Sequence, residues 1–595
     1  MKKALLYLIG FIVFAQAQFQ SAYLNQPDLF IPYVDSCATF WTNVYDDNLG
    51  GFYTEVDKTG NILNTNKKNM ITQSRNAYAM VRAFQLTGDT TYLNYARGAL
   101  NFQIEHAWDE TYGGWFDGLN SRGWLTNPTE NKTAFNQHYA ILGLLAYYEA
   151  TNDTFFRNWV ETTYQNNETY LWDNHETLFG YYDYANDQMR NPIDKSFNAT
   201  VDAITTHLLQ LYLITGDQQY LNRLNELGQN ILDRLVASMP SQAIGFAEKY
   251  DSGWNIKSNE TMTIMGHVLK TGWCLARLYY LTENQEYLDA AKYVVNDVLE
   301  KGYDHQYGGP YKDYNRVTGE MLMWGLQDTA KAWWQMEQAV TAGLMLYDLT
   351  GNQTYLNMAD ETLDFFMKYF VDHHYGEVYA DRTRTGGLAW NENKGSGGKA
   401  GYHSTELGYY GYLYASLYLL DQPAHLFYYI SPLDHDRTIV CNPIPYKQNQ
   451  LYIGLVEKEQ IAYDQFDPEK KEIFIPAGTG GIFKVTFQTT PPQKTDIAKQ
   501  IPNLIQLHQN YPNPFNPSTT ISFELKKSAS VSLQIFNQQG QMVYSLINND
   551  VKSEGTHSVI WDGKNANGQQ VPSGVYYYRL TADNISIAKP MVYIK

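Results

Sequence analysis

Three histidines stand in contexts that suggest chemistry as well as packing. His267 lies in MGHVLKTGW (265–273), at the start of a helical run. His403 lies in KAGYHSTELGYY (399–410), just after the glycine-rich segment Gly395-Ser396-Gly397-Gly398. His138 lies inside the helical pattern KTAFNQHYAILG (132–143), where a structural place in the core is the ordinary reading. An imidazole titrates near pH 6.5, so at neutral pH it can both take a proton and return it. KAWWQMEQA (331–339) brings Trp333, Trp334 and Glu337 onto one helix, with Trp333 and Glu337 four residues apart on one face. An indole beside a carboxylate can stack on a sugar and hydrogen-bond it; a core tryptophan with a surface glutamate is the plain alternative. Arg75, in QSRNAY (73–78), opens another helix, as a sugar ligand or as half of a surface ion pair.

The elements that must position these groups repeat along the chain. Thr87-Gly88-Asp89, Thr151-Asn152-Asp153, Thr215-Gly216-Asp217, Thr282-Glu283-Asn284 and Thr350-Gly351-Asn352 recur at intervals of 64 to 68 residues, each followed by an aromatic and an apolar residue. Fixed-period self-similarity marks a repeated supersecondary unit. Each phrase suits a helix that ends on a left-handed Gly or Asn and a new helix that starts at Asp or Asn. The flanks carry apolar residues at i, i+3 and i+4. A second phrase interleaves: Tyr112-Gly113-Gly114-Trp115-Phe116, Phe179-Gly180-Tyr181-Tyr182, Tyr307-Gly308-Gly309-Pro310-Tyr311 and Tyr375-Gly376-Glu377-Val378-Tyr379. Glycine followed by alternating aromatics predicts short β-hairpins in the loops. Five clear units and a degenerate one ending near Leu420 predict about twelve helices. An open solenoid or a closed barrel would bury their apolar faces; the expected class is mainly α, with the (α/α)6 barrel favoured over residues 18–422 and its long loops lining a pocket at one end.

The rest of the 595 residues divides by composition. Lys2 and Lys3, the apolar run Leu5 to Phe14 and Ala15-Gln16-Ala17 read as a signal peptide, 1–17. No stretch is long and apolar enough for a membrane span. Short strand-like runs over 423–495 predict an accessory β-domain, and 496–510 a linker. Residues 511–595 open with YPNPFNP and continue in alternating runs such as ISFEL, VSLQIFN and GVYYYRLTA, which predicts a small Ig-like β-sandwich. YPNPFNP (511–517), Trp561-Asp562-Gly563, Pro572-Ser573-Gly574-Val575-Tyr576 and the terminal KPMVYIK resemble the type A C-terminal sorting domain of the type IX secretion system. That resemblance implies the type IX secretion machinery as a partner and a secreted or cell-surface location. The net charge of −18 argues against a nucleic-acid binder, which needs a basic face. Three cysteines, far apart and without a CxxC pair, exclude a disulfide scaffold and a cysteine zinc site.

The stretches 70–115, GHVLKTGW (266–273), KAWWQMEQAVTAGLMLYDLTGN (331–352), FVDHHYGEVY (370–379) and KAGYH (399–403) resemble, in order, the N-acylglucosamine 2-epimerase and cellobiose 2-epimerase superfamily. The resemblance implies an (α/α)6 barrel, a reducing mono- or oligosaccharide as substrate, and proton abstraction beside the carbonyl of the opened sugar. It implies two histidines as acid and base, His267 on the GH motif and His403 on the K-x-x-Y-H motif. It implies Arg75 on a sugar oxygen, Trp334 in the stacking wall, and neither metal nor organic cofactor. Trp333, Glu337, His138, Trp273 and Lys270 complete the expected binding residues. The chain departs from the family pattern in three places. The third repeat has no histidine in register across 198–206. Lys270 stands where the family's GHxxE has its acid. The Trp-Trp…Glu spacing is one residue short, leaving Glu337 or Gln338 for the acidic role. Two other readings stay open on the same barrel. One is a glycoside hydrolase or polysaccharide lyase using loop acids such as Asp109, Asp117, Asp313, Asp372 or Glu377. The other is a non-catalytic carbohydrate-binding protein.

Overall fold

The structure, a computed structural model, describes residues 19–595 except 324–325, 493–504, 526, 538–540 and 583–584. The export segment 1–17 and much of the linker therefore lie outside the described residues. The contacts divide the chain into two units, one running to Tyr429 with Cys441–Leu451 added, the other comprising Ile430–Val440 and Tyr452–Lys595.

The first unit holds twelve principal helices in six pairs: α1 (Phe30–Thr42) and α2 (Met70–Thr87), α3 (Thr91–Ala107) and α4 (Ala134–Thr151), α5 (Thr154–Tyr170) and α6 (198–215), α7 (218–236) and α8 (Met265–Thr282), α9 (Gln285–Lys301) and α10 (Trp333–Thr350), α11 (353–370) and α12 (402–419). The even-numbered helices pack in the order α2, α4, α6, α8, α10, α12, and α12 returns to α2. The repeat thus closes into a barrel, as expected, because each inner helix is apolar on several sides and needs neighbours on both. In α4, every residue from Gln137 to Thr151 is buried. The odd-numbered helices form the outer ring and are amphipathic.

The repeated phrases become helix caps. Gly88, Asn152, Gly216, Glu283 and Gly351 end the inner helices in the left-handed conformation. Glu283 does so at φ 55°, where the pattern predicts Gly or Asn. The side chains of Asp153, Asp217, Asn284 and Asn352 then accept the backbone N–H two residues on and start the next outer helix.

The glycine-aromatic phrases become narrow antiparallel bridges, such as Trp108 to Trp115 and Val371 to Val378, ahead of the inner helices. A buried lysine locks five of these loops. Lys68 Nζ donates to Asp46 (2.7 Å) and to the Gly50 carbonyl (2.8 Å). Lys132 repeats this with Asp109 and Gly113, Lys195 with Asp173 and Gly180, Lys331 with Asp304 and Gly308, and Lys394 with Asp372 and Gly376. In the loop before α8, Thr263 stands at the lysine's position, two residues ahead of the helix. Burial alone would raise the Asp46 pKa, yet Lys68 and the amides of Asn48 and Leu49 hold it at about 2. Replacing Lys68 with methionine strands that carboxylate without its cation. The expected cost is about 3 kcal/mol of stability, read as a lower urea midpoint; an unchanged midpoint would show the pair to be dispensable.

In the second unit, Arg437–Val440, Glu472–Ile475 and Phe466–Asp467 form one antiparallel sheet, and Tyr452–Lys458 pairs with Gly481–Gln488 and Ile461–Ala462. C-terminal to these, Ile505–Leu507, Thr519–Leu525 and Gly555–Trp561 make a three-stranded sheet. Met542–Lys552, Ala529–Phe536, Gly574–Ala582 and Ile585–Tyr593 make a four-stranded one. Alternate residues such as Ile521, Phe523, Val531, Leu533, Tyr578 and Leu580 fill the core between the two sheets with Trp561 and Phe515. This is the expected Ig-like sandwich. Among the described residues, no helix is long and apolar enough to cross a membrane.

Candidate active site

The first turns of all the inner helices converge on one open recess of about 190 Å³. Arg75 comes from α2, Phe135 and Tyr139 from α4, and Asn198 and Asp202 from α6. His267 and Lys270 come from α8, Trp333 and Trp334 from α10, and Gly397, Gly398 and His403 from α12 and the segment before it. A wide, π-type turn at Asn198–Asp202 opens α6. Such turns often mark functional positions. The hairpin loops precede these turns in sequence, which is why the chemistry gathers at that end.

The two histidines flank Trp334. The His267 ring lies 5.2 Å from the Trp334 ring and stacks on Phe197 at 3.9 Å; the His403 ring lies 6.0 Å from Trp334 and 6.2 Å from Trp333. Each imidazole turns Nδ1 toward a carboxylate. For His267 the partner is Glu248 Oε2 at 2.9 Å, and Glu248 Oε1 is fixed in turn by the Ile264 amide. For His403 the partners are Glu337 Oε2 at 3.4 Å and Glu406 Oε2 at 3.7 Å. A carboxylate on Nδ1 keeps the proton there and leaves Nε2 as the basic nitrogen.

Glu337 is fully buried. Burial first, and then the charge of Glu406, push its carboxyl up to about 7 against the opposing pull of His403. A carboxyl raised in this way holds its proton more tightly in the folded chain than in the unfolded one. Its contribution to stability is therefore full below the ordinary carboxyl range and is lost as pH rises through about 7. Glu337→Gln keeps the neutral shape. The thermal midpoint of the variant is expected to fall less than that of the parent between about pH 5 and about pH 8; parallel curves would contradict the raised carboxyl. The donor atoms of Glu337, His403 and Glu406 lie within 4.8 Å of one another, a spacing that a divalent cation would also accept.

Arg75 donates Nη1 to the Gly398 carbonyl at 2.9 Å, and its guanidinium lies 4.4 Å over the Tyr139 ring. Its Nε, and the indole N–H of Trp333, are buried without a hydrogen-bond partner. Lys270 Nζ donates to Asp202 Oδ1 at 2.6 Å and to the Tyr139 hydroxyl at 3.3 Å.

Of the expected site residues, the recess thus gathers Arg75, His267, Lys270, Trp333, Trp334 and His403. The other three stand outside its lining. Glu337 sits behind His403. His138 lies about a quarter-turn round α4 from Phe135 and Tyr139 and packs against Tyr181 and His207 in the core. Burial lowers its pKa to about 4, so it is neutral at physiological pH. Trp273 lies one turn deeper in α8, donating its N–H to Gln338 Oε1 under the Arg277 guanidinium. Glu248, Asp202, Glu406 and Tyr139 are the site residues that the sequence reading lacks. Asp202 stands in the very stretch, 198–206, that lacks a histidine.

The loop acids available for hydrolysis are otherwise engaged. Asp109 and Asp372 hold lysines, Asp117 accepts the Ile71 amide, and Glu377 takes Lys399 and the Trp41 N–H. Asp313, raised by burial to about 6, does not line the recess.

The N-acylglucosamine 2-epimerase family model matches residues 51–406, and the FlgD Ig-like domain model matches residues 510–586. A curated D-mannose isomerase of Marinomonas mediterranea is 21% identical over 384 residues, covering 62% of this chain and 93% of its own. A cellobiose 2-epimerase of Eubacterium cellulosolvens is 23% identical over 385 residues, covering 61% and 92%. Among solved structures, a D-mannose isomerase superposes with a TM-score of 0.59 at 21% identity over 67% of this chain and 99% of the other. The cellobiose 2-epimerase of Bacillus thermoamylovorans gives 0.57 at 18% identity over 65% and 99%.

Proposed function

The chain belongs to the N-acylglucosamine 2-epimerase family, and we propose that it is a sugar 2-epimerase or aldose–ketose isomerase that works on a reducing mono- or oligosaccharide through an enediolate. The observation that carries this reading is the pair of imidazoles beside Trp334 in one recess, each with Nδ1 facing a carboxyl group. One Nε2 takes the proton from carbon 2 of the opened sugar. The electron pair forms the C1–C2 double bond, and the carbonyl oxygen takes the negative charge. Arg75, which lines the recess, donates to a sugar oxygen and stabilises that charge. Trp333 and Trp334 form the wall on which the sugar stacks. Return of a proton to carbon 2 from the other face gives the epimer; its return to carbon 1 gives the ketose. No metal or organic cofactor enters these steps.

The hydrolase reading needs two facing carboxylates. Among the described residues lining the recess, Asp202 is the one carboxylate, and it is tied to Lys270. The test is incubation of the purified protein, dialysed against EDTA, with mannose, glucose, N-acetylmannosamine and cellobiose in D2O. NMR is expected to find deuterium at carbon 2 and a new epimer or ketose from at least one sugar. No exchange with any of them would sink the reading and turn attention to glycan cleavage and binding.

The export segment and the C-terminal sandwich support a secreted or surface-attached enzyme delivered by type IX secretion machinery. In a host carrying that machinery, deletion of residues 511–595 is expected to trap the protein in the periplasm. Undiminished appearance outside the cell would remove the sandwich from the export route.

A further inference from the structure

The recess holds two permanent cations that reach it from opposite sides of the barrel. Arg75 is on α2 and Lys270 on α8, three places apart in the six-membered inner ring. Both converge on Tyr139 of α4: the guanidinium lies 4.4 Å over its ring, and the Lys270 ammonium is 3.3 Å from its hydroxyl. They differ in how they are held. Arg75 has no carboxylate within ion-pair distance among the described residues, and it is fixed by the Gly398 carbonyl and the aromatic face. Lys270 is clamped by Asp202 Oδ1 at 2.6 Å, and the second oxygen of Asp202 is occupied by the Asn198 amide at 2.9 Å. An ammonium has three N–H donors. Asp202 and Tyr139 account for two, and the third is left for the recess that Lys270 lines.

We propose that Lys270, clamped by Asp202, acts with Arg75 as a two-cation cradle for the two neighbouring oxygens of the enediolate, one cation to each oxygen. This rests on the enediolate reading of the site. When the C2–H bond breaks, the proton goes to a histidine Nε2 and the C–H electron pair becomes the C1–C2 bond. The carbonyl π pair moves onto its oxygen, which leaves negative charge beside a second oxygen on the adjacent carbon. A single guanidinium on one side meets one of these oxygens squarely. A second cation placed across Tyr139 meets the other. The cradle needs Lys270 charged and immobile, and Asp202 provides both. Burial alone would push Lys270 down and Asp202 up, but their mutual attraction overrides it, so Lys270 is raised and Asp202 lowered. The base at position 270 then has a function of its own: it brings positive charge to the reacting oxygens, which a glutamate there could not do.

The test compares Lys270→Met with the double variant Lys270→Met/Asp202→Asn, which leaves no stranded carboxylate. The double variant guards against a stability loss in the single one. Two readouts separate a role in the reaction from a role in folding. The first is deuterium exchange, where kcat is expected to fall about 10²- to 10³-fold with KM changed less than about threefold in both variants. The second is calorimetric binding of arabinonohydroxamate, which carries two neighbouring oxygens with enediolate-like charge, against mannitol, a neutral polyol. Both variants are expected to lose about 100-fold for the hydroxamate and less than about threefold for mannitol. Equal losses for the two ligands, or parental exchange in the double variant, would overturn the cradle while leaving the enediolate reading intact. A parent chain that neither exchanges deuterium nor prefers the hydroxamate overturns both.

Discussion

Replacing His403 with alanine is expected to lower epimer or ketose formation about 10³-fold while moving the thermal midpoint by no more than a few degrees. The two halves of this expectation have separate causes. His403 lines the recess from the second residue of α12, with its ring close to Trp333, Trp334 and Tyr402 and its Nδ1 facing Glu337 and Glu406. Removing it takes away a proton carrier that nothing else at that place can replace. The stability effect is small because Glu337 is left uncharged and Glu406 keeps the Tyr402 hydroxyl on its other oxygen. Burial and the neighbouring Glu406 already push the Glu337 carboxyl upward, and His403 is the group that opposes them. Without the imidazole, Glu337 keeps its proton and stays neutral. The void is the size of the lost ring and opens on the recess, so added imidazole is expected to restore part of the activity. Product formed at close to the parental rate would show that His403 is a packing residue and would leave His267 as the one imidazole base of the recess.

The fold was legible because its signals repeat. A left-handed cap residue, a capping Asp or Asn and a glycine-aromatic loop recur together, and repeated agreement between levels is what makes a pattern readable. The same logic explains which site residues could be seen. Arg75, His267, Trp333, Trp334 and His403 all stand in the first turns of inner helices, and the repeat register alone places those turns at one end. Register does not say which face of an inner helix looks into the recess. Helix α4 is buried on every side, so periodicity could not separate His138, which faces the core, from Tyr139, which faces the recess. Trp273 misled for a related reason, since it shares α8 with Lys270 but lies one turn below the floor. Glu248 and Asp202 were invisible because each acts on a residue elsewhere in the chain, His267 and Lys270, and a pairing across elements leaves no local signal. The lysine staple did leave one. Lysine stands two residues before an inner helix at Lys68, Lys132 and Lys331 and three before one at Lys195, and Asp stands four before Gly at Asp46, Asp109, Asp304 and Asp372. That second period hides inside loops whose lengths differ.

The two imidazoles also predict how catalysis fails when only one remains. His267 and His403 come from α8 and α12, the two inner-ring neighbours of the helix that carries Trp334, and both rings lie close to that indole. A sugar stacked on that indole presents one face of carbon 2 to each. Each base then removes the proton from one epimer and returns a proton to make the other. His267→Asn keeps a side chain of similar reach whose amide N–H can still donate to Glu248, but it cannot carry a proton. The expected result is a loss of epimer interconversion of more than about 10³-fold, with deuterium exchange retained for the one epimer that His403 deprotonates. His403→Asn is expected to give the reciprocal pattern, retaining exchange for the other epimer. This reciprocity distinguishes the two reactions that the site could run. A 2-epimerase needs both faces of carbon 2 and therefore two independent bases. An aldose–ketose isomerase moves a proton between neighbouring carbons on one face, so one histidine carries it and the other serves the oxygens. In that case one variant loses all exchange at carbon 2, while the other loses product but keeps exchange. Loss of all exchange in both variants would show instead that the imidazoles act as a single unit, and the assignment of one to each face would fall.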